Sequence, residues 1–304
     1  MTPKWLAPAI ASLDAARRAG RLPHALLIHD SGGAGGEWLA NRAASIALCL
    51  SPDQAPCGKC AACVRVANNQ HPDLARIVPT EDSKQLRIEQ VREFAQELSL
   101  TSHQGGYKVG ILSPADSMNR FAANALLKTL EEPSPRTLII LVASQPSRLP
   151  ATILSRCQKL KVRPPTRAES LEWLQATHGA GDWNGVLDVL GDAPFAAAEA
   201  DAKAIPALGI ETRRTLEELE QGTADPVATA ERWHRADTAL RLRCFEAWLT
   251  DRIQRQAAPV TRARALFDLV DGVRELRATL DVPINRSLAL ELLFRRLAAQ
   301  RKSA

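Results

Sequence analysis

The chain has 304 residues, 45% apolar and 24% charged, the proportions of a water-soluble globular protein with room for two or three domains. It has no run of about 18 apolar residues, and its first residues, Met1-Thr-Pro-Lys-Trp-Leu-Ala-Pro, form no signal or transit segment, so no membrane span and a cytoplasmic location are expected. The formal charge of +5 permits contact with nucleic acid, but so small an excess, with 4% aromatic residues, does not by itself mark a nucleic-acid-binding chain.

The first predicted strand, His24 to His29, runs into a glycine loop: His24-Ala-Leu-Leu-Ile-His-Asp-Ser-Gly-Gly-Ala-Gly-Gly-Glu-Trp-Leu, followed by Ala- and Leu-rich helical sequence. Strand, glycine loop and helix are the layout of a P-loop, in which backbone N–H groups surround phosphates, a lysine meets the terminal phosphates and a Ser or Thr hydroxyl binds magnesium. With Gly33, Ala34 and Gly35 as the loop core, Gly36 stands in the lysine position and Glu37 in the hydroxyl position. An uncompensated carboxylate there repels a triphosphate by a few kcal/mol at an effective dielectric of about 20. The expectation is a degenerate loop that hydrolyses no ATP. The other reading is a glycine-rich turn that never met a nucleotide.

Next come Cys49, Cys57, Cys60 and Cys63. In a cytosolic chain such a cluster points to metal rather than disulfides, and four thiolates complete a tetrahedral zinc with no position open for water, which makes the site structural. Gly58 suits the tight turn required. A redox pair and reduced, unliganded thiols remain as alternatives. Cys157 and Cys244 stand alone and read as buried hydrophobes.

Four further strands are expected at Asp73 to Val78, Lys108 to Leu112, Leu138 to Ala143 and Gln158 to Val162, with connections long enough for crossover helices. That implies a parallel, doubly wound α/β sheet. The end of the Lys108 strand is where a P-loop ATPase carries its magnesium-holding acids; Ser113 and Pro114 stand there instead. Asp116 is expected to cap a helix beginning near Ser117. The clearest helix, Met118 to Glu132, has Phe121, Ala125, Leu126 and Leu130 as its apolar stripe and Pro133 as its stop. Arg163-Pro-Pro-Thr breaks the pattern and Thr166 can cap the next helix, which places a boundary near residue 165. The expected division is 1–164, the α/β domain with the cysteine module at about 49–63; 165–206, a small helical domain; and 207–304, a bundle of four or five helices with breaks near Gly222, Pro226, Pro259 and Pro283. The basic end, with Arg295, Arg296, Arg301 and Lys302, reads as a solvated helix terminus.

Leu22-Pro-His-Ala-Leu-Leu, the four cysteines, His71-Pro-Asp, Ala123-Asn-Ala-Leu-Leu-Lys-Thr-Leu-Glu-Glu-Pro and Ile153-Leu-Ser-Arg-Cys together closely resemble the clamp-loader branch of the AAA+ family, densely so over residues 22–163. The resemblance implies a RecA-like AAA+ domain with an inserted zinc module, a small helical lid domain and a helical collar domain for oligomerisation. It also implies a five-membered ring, with motor subunits and a delta-like subunit as neighbours, that loads a sliding clamp onto primer-template DNA. Motor subunits of that family keep a full P-loop and its acids, so Gly36, Glu37, Ser113 and Pro114 align this chain with members that lack a functional ATP site.

By the same resemblance Arg156, in Ser155-Arg-Cys, is an arginine finger supplied in trans to an adjacent motor subunit. The alternative is a structural arginine that ends a helix and pairs with a nearby carboxylate. Lys128 would be structural or face DNA or the adjacent subunit, and Ser144 or Gln145 would occupy a vestigial phosphate-sensing position. An ATP-hydrolysing motor subunit of the same loader is the competing function, and Gly36 and Glu37 count against it. A zinc-module nucleic-acid-binding regulator is a third reading, opposed by the scattered basic residues.

Overall fold

The computed structural model describes residues 1–30, 32–80, 83, 85–255, 260–280 and 282–300. Pro259, Arg301 and Lys302 lie outside the described residues. The chain forms two compact units, Met1–Trp173 and Leu174–Ala304.

The first unit runs α1 (Ala7–Arg18), β1 (Ala25–His29), α2 (Gly36–Leu48), α3 (Ala61–Ala67), β2 (Leu74–Ile77), α4 (Ile88–Ser99), β3 (Lys108–Leu112), α5 (Arg120–Glu131), β4 (Thr137–Ala143), α6 (Ala151–Leu154) and β5 (Gln158–Lys161). The division from the second unit falls within α7 (Arg167–His178). All strand pairs are parallel, in the order β2-β3-β4-β1-β5. β3 and β4 are buried along their whole length, as sheets covered on both faces require. That is why, past the buried Lys108 and Thr137 at their starts, their sequences are apolar or glycine, while β5 at the edge is Gln-Lys-Leu-Lys. Gly110 lets α4 lie close on the sheet, since a Cβ there would stand 2.5 Å from Phe94 Cζ.

Two expectations change here. Phe121, assigned to the apolar stripe of α5, is 71% exposed. Asn119 caps this helix by accepting from Ala122 N at 2.9 Å; Leu126 and Leu130 are buried and Ala125 half-buried as expected, and Ala122 and Ala123 take the covered place assigned to Phe121. Asp116 caps nothing; its carboxylate turns inward to the end of β4.

Thr166 and Glu169 form a reciprocal capping box at the start of α7, with Thr166 N to Glu169 Oε2 at 2.8 Å and Glu169 N to Thr166 Oγ1 at 3.3 Å. The second unit is helical: α8 (Trp183–Leu190), α9 (Pro194–Glu199), α10 (Ala204–Gln221), α11 (Pro226–Arg235), α12 (Thr238–Arg255), α13 (Val260–Ala278) and α14 (Arg286–Ala299). Gly222 ends α10 in the left-handed conformation, φ 72°, and Asp225 caps α11 with Pro226 at its first position. Trp233, Phe245 and Phe294 are fully buried at its centre, Trp233 and Phe294 packed edge to face at 4.9 Å. No helix of the described residues is long and apolar enough to cross a membrane.

Candidate functional site

The loop between β1 and α2 has the backbone of a phosphate cradle. Gly33 and Gly35 take positive φ, 70° and 106°, and the N–H groups at the start of α2 converge, as at any helix N-terminus that favours an anion. The anion is supplied by the chain itself. Asp30 Oδ1 accepts from Ala34 N at 2.8 Å, while Oδ2 accepts from Gly36 N at 2.6 Å and Gly35 N at 3.2 Å. Asp30 is anchored to the sheet by its own N–H, which donates to Ala143 O at 3.0 Å. Gly36 is glycine for the same reason: a Cβ would stand 2.6 Å from Asp30 Cβ and 3.1 Å from Val142 Cγ1. Reading Gly33, Gly35, Gly36 and Glu37 alone misses this carboxylate. The signal available was an acid at the strand end, a few residues before the helix.

One turn into the site, Ser113 Oγ donates to Glu37 Oε1 at 2.7 Å. Functional P-loops place a hydroxyl on the helix and an acid at the strand end; here the two chemistries are exchanged, and a direct hydrogen bond joins them. Arg76 of β2, bonded to Asn41 Oδ1, has its pKa lowered by burial, which the nearby charge of Glu37 partly opposes. Pro114 follows Ser113 without adding a polar group. Asp116 Oδ2 accepts from Ser144 Oγ and Gln145 N, each at 2.8 Å, tying the ends of β3 and β4 together. Ser144 is thus turned toward its own chain.

Arg156 closes the short helix α6. Its Nη2 lies 2.6 Å from Glu131 Oε1, and its Nη1 donates to Thr152 O at 2.9 Å and to Ser155 Oγ at 3.3 Å. The two family-like segments, one ending α5 and one ending α6, therefore meet through this ion pair, with side chains 34% and 47% exposed. Lys128 is exposed on α5, three residues before Glu131.

The four cysteines converge. Cys49 ends α2, Cys60 caps α3, Cys63 lies in its first turn, and Gly58 turns the loop with φ 71°. All four Sγ atoms lie within 4.8 Å of one another, and Cys49 and Cys60 are 4.0 Å apart. Sulfurs around a tetrahedral zinc at about 2.3 Å stand about 3.8 Å apart, so the cluster needs only a slight contraction to hold such an ion. Backbone N–H groups already point at the sulfurs: Cys57 N and Ser51 N to Cys49 at 3.5 and 3.4 Å, Cys60 N to Cys57 at 3.3 Å and Cys63 N to Cys60 at 3.4 Å. The N–H groups of Lys59 and Cys60 lower the Cys57 thiol to about 6, whereas burial pushes Cys63 up to about 12, helped by the neighbouring Cys60 and Cys49. A bound dication makes all four thiolates favourable, Cys63 included. These residues can hold a metal ion. Cys157 and Cys244 are buried, each with its pKa raised to about 11 by desolvation, as expected of inert core thiols.

The chain is similar to subunits of one bacterial replication assembly. The DNA polymerase III subunit delta' of Pseudomonas aeruginosa is 45% identical over 152 residues, 50% of this chain and 46% of that protein. Its Escherichia coli counterpart is 37% identical over 171 residues, 56% and 51% of the two chains. The Escherichia coli DNA polymerase III subunit tau is 31% identical over 145 residues, 47% of this chain and 22% of that protein. A crystal structure of a DNA polymerase III gamma subunit-related protein from Thermotoga maritima aligns with a TM-score of 0.50 at 15% identity, covering 95% of this chain and 99% of that one, and shows a shared fold. The chain spans about half the length of the curated relatives it matches. The sequence pattern of the family described as "DNA polymerase III, delta subunit" matches residues 6–166. With more than half of its 304 residues matched, the chain belongs to the DNA polymerase III, delta subunit family.

Proposed function

We propose that this chain is a non-hydrolysing, delta-prime-like subunit of the DNA polymerase III clamp loader, supporting ATP-dependent loading of the sliding clamp onto primed DNA during replication. It is a cytoplasmic accessory subunit, and the polymerase activity belongs to the assembly. Its place is in a five-membered ring beside motor subunits and a delta-like subunit, with the clamp and primer-template DNA met through the assembly. Residues 1–164 serve as the RecA-like AAA+ domain, 165–206 as the lid and 207–304 as the collar that joins the ring.

The observation that carries this reading is the Asp30 carboxylate seated on the N–H groups of residues 34–36. ATP would have to displace a tethered anion whose effective concentration is on the order of millimolar or higher. It would then meet no lysine at Gly36 and a carboxylate at Glu37. A motor subunit cannot work from such a loop. Arg156 keeps what this site has lost: a guanidinium is always charged, presents donors in a planar fork, and when supplied in trans is worth about 10³ to 10⁵ in rate in well-studied nucleotide hydrolases. Arg156 is the residue this subunit lends to the ATP site of its neighbour. Cys49, Cys57, Cys60 and Cys63 would hold zinc, whose four-sulfur shell leaves no position for substrate and fixes the fold of the 49–63 loop.

Purified chain titrated with ATP and magnesium should give neither binding heat nor released phosphate. Micromolar binding with turnover would make it a motor subunit instead.

A further inference from the structure

Arg156 has five N–H donors, and three contacts within its own chain hold it, two hydrogen bonds and one ion pair. Two go from Nη1 to neutral local acceptors, Thr152 O and Ser155 Oγ, and they aim the side chain. The third, from Nη2 to Glu131 Oε1 at 2.6 Å, is different in kind, because a carboxylate cancels the charge that an approaching phosphate would feel. Glu131 reaches it from another helix, 25 residues earlier in the chain, so the contact is not a by-product of local geometry. The pair is 34% and 47% exposed, which keeps it weak enough to exchange partners.

We infer that Glu131 is a positioning residue that stores Arg156 against its own subunit and releases it only to a polyanion of higher charge, the triphosphate of a nucleotide seated on the neighbouring subunit. This rests on the reading of Arg156 as a trans-acting arginine. A single carboxylate holds the guanidinium when the neighbouring site is empty; a triphosphate, with several negative charges, outcompetes it. Engagement of the arginine is thereby conditional on the occupant of the adjacent site, and the Glu131 charge is a fixed penalty on ATP capture there.

The test is ATP hydrolysis by the reconstituted loader, with clamp and primed DNA, carrying the parent chain, Glu131→Gln, Arg156→Ala or both. Size-exclusion chromatography establishes that each assembles. Glu131→Gln keeps the size of the side chain and one oxygen and removes the charge. It should lower KM for ATP about two- to fivefold, the range of an exposed ion pair, and the effect should vanish in the Arg156→Ala background. An unchanged KM, or a shift that persists without Arg156, overturns the proposal and leaves a plain surface pair. A loss of rate like that of Arg156→Ala also overturns it, since the carboxylate would then present the arginine rather than store it. If Arg156→Ala itself changes nothing, the trans-acting reading fails; a loss with Arg156→Ala beside an inert Glu131→Gln defeats only the storage role.

Discussion

Replacing Asp30 tests the self-occupied loop directly. Asp30→Ala strips four N–H groups, those of Gly36, Ala34, Gly35 and Gly32 at 2.6, 2.8, 3.2 and 3.4 Å, of their anionic acceptor and removes a negative charge from the N-terminus of α2. Hydrogen bonds to charged groups are worth about 1.5–3 kcal/mol each and a charge at a helix terminus about 0.3–1 kcal/mol more. The site is half-buried, so water recovers part of this, and a net loss of about 2–4 kcal/mol is expected. For a unit of this size, at about 2–4 °C per kcal/mol, the melting temperature should fall by roughly 4–16 °C. Asp30→Asn, which keeps one oxygen acceptor, should fall by about half as much. The emptied cradle should then accept an external anion: inorganic phosphate or pyrophosphate at about ten times its Kd should return about 1.4 kcal/mol to Asp30→Ala and nothing to the parent. Differential scanning calorimetry reads both effects. A variant as stable as the parent, or phosphate raising the two equally, would refute the reasoning.

Metal analysis of chain purified without chelator should give close to one zinc per chain, and Cys63→Ser should lower the content and the melting temperature; metal-free native protein would sink the zinc assignment. Asp73 is buried, which raises its pKa, but His103 N, Ser102 Oγ and Gln104 N, with His71 nearby, outweigh that and hold it below the usual range. With the folded value below the unfolded value of about 3.9, its stabilisation is fully present above that value and is lost as pH falls through the folded one. Asp73→Asn should therefore flatten the acid limb of the stability curve, and an unchanged limb would contradict this. Phe121→Ser should change stability by less than about 0.5 kcal/mol, whereas Leu126→Ala should cost about 2–5 kcal/mol in urea unfolding.

Sequence reasoning placed the strands well because a parallel sheet buried on both faces writes itself as short apolar runs, and β3 falls on the expected Lys108 to Leu112. The cysteine cluster was legible because three thiols at intervals of three can converge through one turn and one short helix. Other features depend on geometry that no local pattern carries. Asp30 reaches N–H groups four to six residues ahead only because Gly33 and Gly35 curl the loop back. The pairing of Arg156 with Glu131 depends on where two helices end. Phe121 faces outward just before the buried Ala122 and Ala123, whose small side chains give no bulk to mark the covered side of the first turn of α5. The break between α11 and α12 falls at Asp237, with φ 56°, and carries neither glycine nor proline to announce it.

The most direct test of the central claim is clamp- and DNA-stimulated ATP hydrolysis by the reconstituted loader, comparing the parent chain with Arg156→Ala after confirming assembly. A fall of about tenfold or more, at least about 1.4 kcal/mol of transition-state stabilisation, is the predicted result. Unchanged hydrolysis would contradict it and reduce Arg156 to the structural partner of Glu131.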